Sequence, residues 1–478
     1  MSEVGLLDQL RSALGSAHVL TGTDATGYLT DQHGRLTGQA LAVVRPADTR
    51  QVAEVVRLCR QHRTPIVPQG GNTGLMGGAT PDTSGHAVVL LLGRLNRIRH
   101  IDTDNDTLTV EAGAILANVQ QAAREAGRLF ALSLGSQGSC TIGGNLATNA
   151  GGTQVLRYGN ARELTLGLEV VTAEGDVWDG LRGLRKDNTG YALRDLYVGS
   201  EGTLGVITAA TLKLHPLPAA QQTALLAFAN IEEALAFLNL ARSGFGAGLT
   251  AFELLSEAIL GLVARHVPEQ PLPLPLGHPW YALIELSDSQ DEQHARTLFE
   301  KVLALAMDDG TVKDAALAQS SAQHLALWRL RDEALGVAQK RDGGNIKHDV
   351  SLPISRIPEF LAATALALQV RFPGIRPVAF GHLGDGNLHY NVSHALTGDV
   401  AELFAVEDQI HAIVHDSVHA HAGSISAEHG IGQTKRDLLP RYKSGIELDL
   451  MRRLKSAFDP LGLLNPSKIL TLDQRPTP

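Results

Sequence analysis

Glycine sets the grammar of this chain. Of its 478 residues, 49 are glycine, and they gather in four runs, at 70–78, 135–152, 199–205 and 381–386. Short β-like segments flank these runs, at 41–44, 66–68, 88–92, 108–112, 168–172 and 205–214. A glycine-rich link between strands marks backbone that turns sharply or passes close to something else. Helical apolar spacing alternates with the strands, as at 114–126 and 231–241. Asp48-Thr49-Arg50-Gln51 reads as a capping box that opens a helix running through Arg60. The pattern predicts an α+β or α/β chain, and its length predicts two or three domains.

The character changes near Leu217-Pro218-Ala219-Ala220. Beyond it come long helical stretches at 231–241, 292–306 and 318–340, with a proline-rich loop at 268–275. The net charge of −9 and the absence of a Lys/Arg cluster argue against a nucleic-acid partner. Two cysteines, Cys59 and Cys140, exclude a disulfide framework and a cysteine-rich zinc site. No run of about 18 apolar residues predicts a membrane span. The acidic start lacks the pattern of a secretory signal. These features predict a cytoplasmic protein without a transmembrane segment, compatible with peripheral membrane association and with a homodimer.

The first glycine loop is Pro68-Gln69-Gly70-Gly71-Asn72-Thr73-Gly74-Leu75-Met76-Gly77-Gly78. Successive exposed N–H groups form an anion nest suited to a pyrophosphate. No G-x-x-x-x-G-K-[ST] occurs, so this is not a P-loop. Gly246-Ala247-Gly248-Leu249-Thr250-Ala251 fits the loose dinucleotide pattern but follows a helical stretch, not a strand. The second motif runs from Leu134 to Gly152 and is built of small and hydroxylic residues that can line a flat ring. Arg157-Tyr158-Gly159 follows it. The third joins Asp187-Asn188-Thr189-Gly190-Tyr191 to the run from Gly199 to Thr208.

In this order and spacing, the three segments resemble the FAD-binding domain of the vanillyl-alcohol oxidase superfamily, the PCMH-type fold. The resemblance implies an FAD with its pyrophosphate on the 70–75 loop, its isoalloxazine against 134–149 and its adenine end near Ile207. The implied cofactor contacts are Pro68, Gly70, Gly71, Asn72, Thr73, Gly74 and Leu75 from the first loop. Leu134, Gly135, Ser136, Gly138, Ser139, Thr141, Gly143, Gly144, Ala147, Thr148 and Asn149 follow from the second. Glu201, Gly202, Gly205, Ile207 and Asn465 complete the set. Asn72 stands where covalently flavinylated members carry an attachment residue, so the FAD is expected to be non-covalent.

The fourth motif reads Phe380-Gly381-His382-Leu383-Gly384-Asp385-Gly386-Asn387-Leu388-His389-Tyr390-Asn391-Val392. Asp385-Gly386 signals a two-residue hairpin turn. That turn would set His382 opposite His389, about 5 Å apart on one face, with Asn391 on the same face. Two imidazoles so placed can share a metal, and Glu428 beside His429 offers a third ligand and a base. Spacing alone balances this against two core histidines and a salt-bridged glutamate. His411, His415 and His419 also share a helix-face spacing, but lie beside the apolar stripe of Ile410, Ile413, Val414 and Val418, and read as a polar helix face.

The fourth motif, the segment 424–436 and the closing run 459–470 resemble the D-lactate, glycolate and D-2-hydroxyglutarate dehydrogenase group. Its zinc-dependent members imply His382, His389 and Glu428 as metal ligands, His429 as catalytic base and Asn391 as a substrate contact. Trp328-Arg329-Leu330-Arg331-Asp332-Glu333 resembles the helix whose arginine, here Arg331, clamps the substrate carboxylate. Lys347 resembles a second cation that meets a distal carboxylate. Its spacing from Arg331 departs by one residue from the group's pattern, and Leu335 replaces an expected threonine.

The expected architecture is therefore α+β: a PCMH-type, two-subdomain FAD-binding domain (1–216), a substrate domain with an antiparallel sheet and flanking helices (217–428), and a C-terminal helical segment (429–478) that completes the first. The expected reaction is oxidation of a D-2-hydroxy acid, D-2-hydroxyglutarate first, with D-lactate, D-malate and glycolate as alternatives. A divalent metal (zinc foremost, then manganese, iron or cobalt) is expected to assist, and a quinone or electron-transfer flavoprotein to accept electrons. The rivals from other classes are a zinc hydrolase and a non-catalytic flavin- or nucleotide-binding regulator.

Overall fold

The computed structural model describes residues 3–395 and 398–471. The chain divides into two units, one of Met1–Gly151, Asn160–Pro216 and Glu428–Pro478, the other of Gly152–Gly159 and Leu217–Ala427. Residues 152–159, expected in the first domain, group with the second unit.

The first unit opens on a small sheet. Strand Ala42–Val44 leads through helix Thr49–His62 to strand Ile66–Gln69, and Val88–Leu91 lies parallel between the two strands. Both faces of these apolar strands are covered, as parallel strands require: Val43, Val67 and Val89 pack in one cluster, while Ala42, Val44, Val88 and Leu90 are also buried. Asp48 caps the helix, accepting from Gln51 N at 2.9 Å. The Gln51 side chain accepts from Ala47 N at 2.7 Å, one residue before the cap, so the reciprocal half of the predicted box is displaced. A second, five-stranded antiparallel sheet runs in the order Ile98–Asp102, Thr107–Glu111, Val206–Lys213, Thr165–Val171, Val177–Gly180. The C-terminal segment returns to the first sheet: Ile66 N donates to Leu463 O at 2.8 Å and Asn465 N to Ile66 O at 2.7 Å.

The second unit is a seven-stranded antiparallel sheet ordered Asp314–Leu317, Ala220–Phe228, Trp280–Asp288, Leu249–Ser256, Arg376–His382, Asn387–Ser393, Asp349–Ser351. Alternation sends Leu225, Leu283, Leu255 and Phe380 into one core, shared with Ile259 and Val263 of helix Glu257–His266. Phe228 and Phe252 face the other way, onto Phe237 of helix Ile231–Phe245. Segment 318–340 is not one helix. It contains helix Ser321–Arg329, a π-helical turn at Leu330–Ala334 and helix Leu335–Arg341. Gly246–Gly248 forms a single 3-10 turn.

The hairpin of the fourth motif has a different register from the expected one. Its turn spans 383–386, and Phe380, not His382, sits opposite His389. The Asp385 side chain accepts from Asn387 N at 3.0 Å, and Gly386 N donates to His382 O at 3.1 Å, so an aspartate turn replaces the two-residue loop. A slip of one residue would have turned the histidines to opposite faces, but a slip of two keeps them on the same one.

Candidate active site

The glycine loops of the first unit line a cavity. Pro68, Gly70, Gly71, Asn72, Thr73 and Gly74 form one wall, and Thr141, Gly143, Gly144, Ala147 and Thr148 another. Glu201, Gly202, Gly205 and Ile207 close it, and His429 also reaches its lining. Leu75, Leu134, Gly135, Ser136, Gly138, Ser139, Asn149 and Asn465, expected at the cofactor, are not on this wall. Gly135, Gly138 and Ser139 are solvent-exposed. Gln69, inside the first motif but not chosen as a contact, lines the cavity. Its amide braces the loop by donating to Tyr28 O and Ala79 O, both at 2.9 Å.

The glycines work here chiefly by close approach. A Cβ on Gly71 would collide with Ser139 O, and one on Gly70 with the Thr141 hydroxyl. Asn72 is left-handed at φ 52°, as is Gly77 at φ 66°, and the Asn72 amide is tied to Thr30 O at 2.9 Å. Thr141 Oγ1 is buried with no hydrogen-bond partner among the described residues. A buried hydroxyl without a partner costs about 1–3 kcal/mol, and here it lies in the wall of a cavity that a polar, flat cofactor would fill. The residues present therefore fit a flavin dinucleotide.

Glu201 holds the loop that follows His429. Its carboxylate accepts from Ile431 N and Gly432 N, both at 2.8 Å. Burial raises its carboxyl pKa, and these two N–H groups oppose that shift. Gly432 is left-handed at φ 54°, and a Cβ there would collide with Met76 O. Asn465 acts on the cavity from behind: its amide donates to Gly78 O at 2.9 Å and to Glu201 O at 2.7 Å, fastening two of the glycine loops together.

In the second unit, His382 and His389 lie with ring centroids 5.5 Å apart and planes at 74°. His382 is buried, and its Nδ1 is 2.6 Å from Glu253 Oε1. A carboxylate there keeps the proton on Nδ1 and frees Nε2 as a ligand, the arrangement usual behind metal-bound histidines. His389 has its own buried carboxylate, Asp349 Oδ1, 3.9 Å from Nδ1. Sequence reasoning missed both carboxylates. Glu253 sits in the apolar strand Leu249–Ser256, where an acid enclosed on both faces needs a partner, and that was the available signal.

Arg331 lies on the π-helical turn, a feature frequent at functional sites. Its Nε donates to Glu253 Oε2 at 2.6 Å and its guanidinium lies 5.5 Å from the Phe380 ring. Lys347 is exposed. Asn391 is buried, its amide donating to Gln339 Oε1 at 2.6 Å. Leu335 is packed in the apolar core. The reading of 411, 415 and 419 as a polar face is corrected: His419 is exposed, but His415 is 2% exposed and packs against His348. Both cysteines are free and buried, and burial pushes the Cys59 thiol up to about 12. No helix among the described residues is long and apolar enough to cross a membrane.

Two solved structures share the architecture. p-Cresol methylhydroxylase with substrate bound superposes with a TM-score of 0.77 at 17% identity, covering 98% of this chain and 96% of that one. The 4-ethylphenol oxidase of Gulosibacter chungangensis gives 0.75 at 18% identity, with the same coverage of 98% and 96%. The fold is thus that of the PCMH-type flavoproteins. Residues 40–180 match the FAD binding domain, and residues 217–469 match the C-terminal domain of FAD linked oxidases. The chain belongs to the FAD-linked oxidase family. Among its relatives, D-2-hydroxyglutarate dehydrogenase of Xanthomonas citri pv. viticola is 38% identical, over 95% of this chain and 94% of its own length. The mitochondrial D-2-hydroxyglutarate dehydrogenase of Bos taurus is 39% identical over 91% and 77%. A putative mitochondrial D-lactate dehydrogenase of Schizosaccharomyces pombe is 36% identical over 93% and 84%.

Proposed function

We propose that this FAD-dependent dehydrogenase oxidises D-2-hydroxyglutarate to the 2-oxo acid. The observation that carries the reading is His429 in the lining of the cavity formed by the glycine loops, a titratable base beside the place where a hydride acceptor would lie. Bound FAD would accept the C2 hydride, and a divalent ion, zinc foremost, would acidify the 2-hydroxyl. Every other role belongs to the chain. His429 takes the hydroxyl proton, a role that imidazoles commonly fill. His382 and His389 hold the ion together with Glu428, and Glu253 orients His382. Arg331, with Nε committed to Glu253, offers its terminal nitrogens to the C1 carboxylate. Lys347 meets the distal carboxylate, and Asn391 is the further substrate contact. The FAD is held non-covalently, and its electrons pass to a quinone or an electron-transfer flavoprotein in the cytoplasm.

A zinc hydrolase or a non-catalytic regulator would leave either the FAD-binding domain or the base without a use. D-Lactate is the second reading, favoured by the name of the S. pombe relative. Anaerobic mixing with D-2-hydroxyglutarate, D-lactate, D-malate and glycolate separates the readings. The five-carbon diacid is expected to bleach the flavin fastest, and chelator to slow it. Faster bleaching by D-lactate would reassign the substrate, and no bleaching by any of the four would end the proposal.

A further inference from the structure

The second unit gathers three other histidines. His411 and His415 lie four residues apart on helix Glu407–Ala420, their rings parallel to within 8° and 5.5 Å apart. His348, just before the edge strand Asp349–Ser351, meets both, with centroids 4.8 Å from His411 and 5.4 Å from His415. Each ring offers a nitrogen, and these nitrogens all lie within 4.8 Å of one another. The trio is separate from the His382–His389 pair. Neighbouring residues of an extended segment point to opposite sides, so Asp349 approaches His389 while His348 turns to the helix.

We propose that His348, His411 and His415 form a second divalent-metal site, of the class that takes zinc. Its preparation is visible in the hydrogen bonds. His348 Nδ1 is 2.8 Å from Tyr390 O, which places the proton on Nδ1 and leaves the Nε2 lone pair facing His411 Nδ1 at 2.9 Å. A backbone carbonyl behind a histidine is a usual support for a metal ligand. On the far side of His411, Nε2 lies 3.6 Å from Glu407 Oε1, so a carboxylate stands on the side that keeps the ring N–H once Nδ1 binds an ion. His348 and His415 are 1% and 2% exposed, while His411 is half-buried and opens the way in.

Three imidazoles with one position left for water is a tetrahedral zinc pattern. Metal–nitrogen bonds of about 2.0–2.1 Å put such nitrogens roughly 3.4 Å apart. The 2.9 Å pair must open slightly and the wider ones close, which small ring rotations achieve. Such an ion would pin helix Glu407–Ala420 to the sheet edge that carries Asp349. The inference does not rest on the proposed function, because none of its ligands takes part in that chemistry.

The test counts metal. The holoenzyme is stripped with chelator, reloaded with zinc, desalted and assayed for zinc per chain. His411→Gln is expected to lose one equivalent and the zinc-dependent rise in Tm. A His382→Ala/His389→Ala variant is expected to keep that equivalent and to show a visible cobalt(II) spectrum when cobalt replaces zinc. Adding His411→Gln to it should abolish both. The proposal is overturned if His411→Gln binds as much zinc as its parent in both backgrounds. It is equally overturned if the His382→Ala/His389→Ala variant binds no cobalt, a result that needs no change at His411. Failure of the active-site metal alone would appear differently, as no loss of zinc on removing His382 and His389.

Discussion

Glu253 joins His382 to Arg331: one carboxylate oxygen lies 2.6 Å from the imidazole Nδ1 and the other 2.6 Å from the guanidinium Nε. Burial alone would raise this carboxyl, but His382 and Arg331 beside it hold it at about 2. One ionised group thus orients both a proposed metal ligand and the proposed carboxylate clamp. Glu253→Gln is expected to weaken zinc affinity about 10–100-fold and to raise KM for the hydroxy acid. Zinc titration and steady-state kinetics check this, and unchanged values for both would remove Glu253 from the site. Glu253→Ala, which strands a buried arginine, should cost about 3–5 kcal/mol of stability.

Glu201 acts on the His429 loop through two backbone N–H groups. Glu201→Gln keeps one acceptor and turns an NH2 toward the other N–H. Flavin content should stay near normal, while anaerobic flavin reduction slows by about 10-fold or more, since small displacements of a reacting group cost that much. Equal reduction rates would mean that the loop is held by other contacts.

Gly71 and Gly74 make a paired test. A Cβ at 71 meets the backbone of Ser139, whereas among the described residues nothing lies within 4 Å of one at 74. Gly71→Ala should destabilise by about 1–3 kcal/mol and release flavin. Gly74→Ala should retain it. Flavin absorbance after gel filtration and Tm report both, and yellow, wild-type-stable Gly71→Ala protein would contradict the packing argument.

Lys468 gives a pH signature. Burial lowers its pKa from 10.5 to about 8, and its ammonium contacts Thr80 O at 2.8 Å. Between pH 8 and 10.5 the unfolded chain holds a proton at this lysine that the folded chain has released. Stability due to this residue therefore rises with pH across that window, by about 3 kcal/mol at most. Measured against Lys468→Met, wild-type Tm should gain as pH climbs from 8 to 10.5. A flat difference would place the lysine in a better-solvated setting.

The sequence was legible where chemistry is local. The glycine loops, the aspartate-capped helix at 49 and the histidine hairpin could each be read from neighbouring residues. The hairpin register was misread because Asp385 uses its side chain to extend the turn, and dipeptide signals do not report that. Glu253 and Asp349 escaped because their meaning lies in partners far along the chain, at His382 and His389. The trio at 348, 411 and 415 was half seen. Helix spacing exposed two members, and only the fold supplies the third. Residues 152–159 group with the second unit, where Arg157 donates to Ser287 O at 2.8 Å, a contact no local pattern announces.

Asn465 grips the backbone at Gly78 and at Glu201 from a point near the end of the described chain. A side chain 387 positions beyond Gly78 and 264 beyond Glu201 therefore decides whether two glycine loops of the cavity stay fastened together. A chain cut before residue 463 is expected to be purified as colourless apoprotein, although both loops are intact in it.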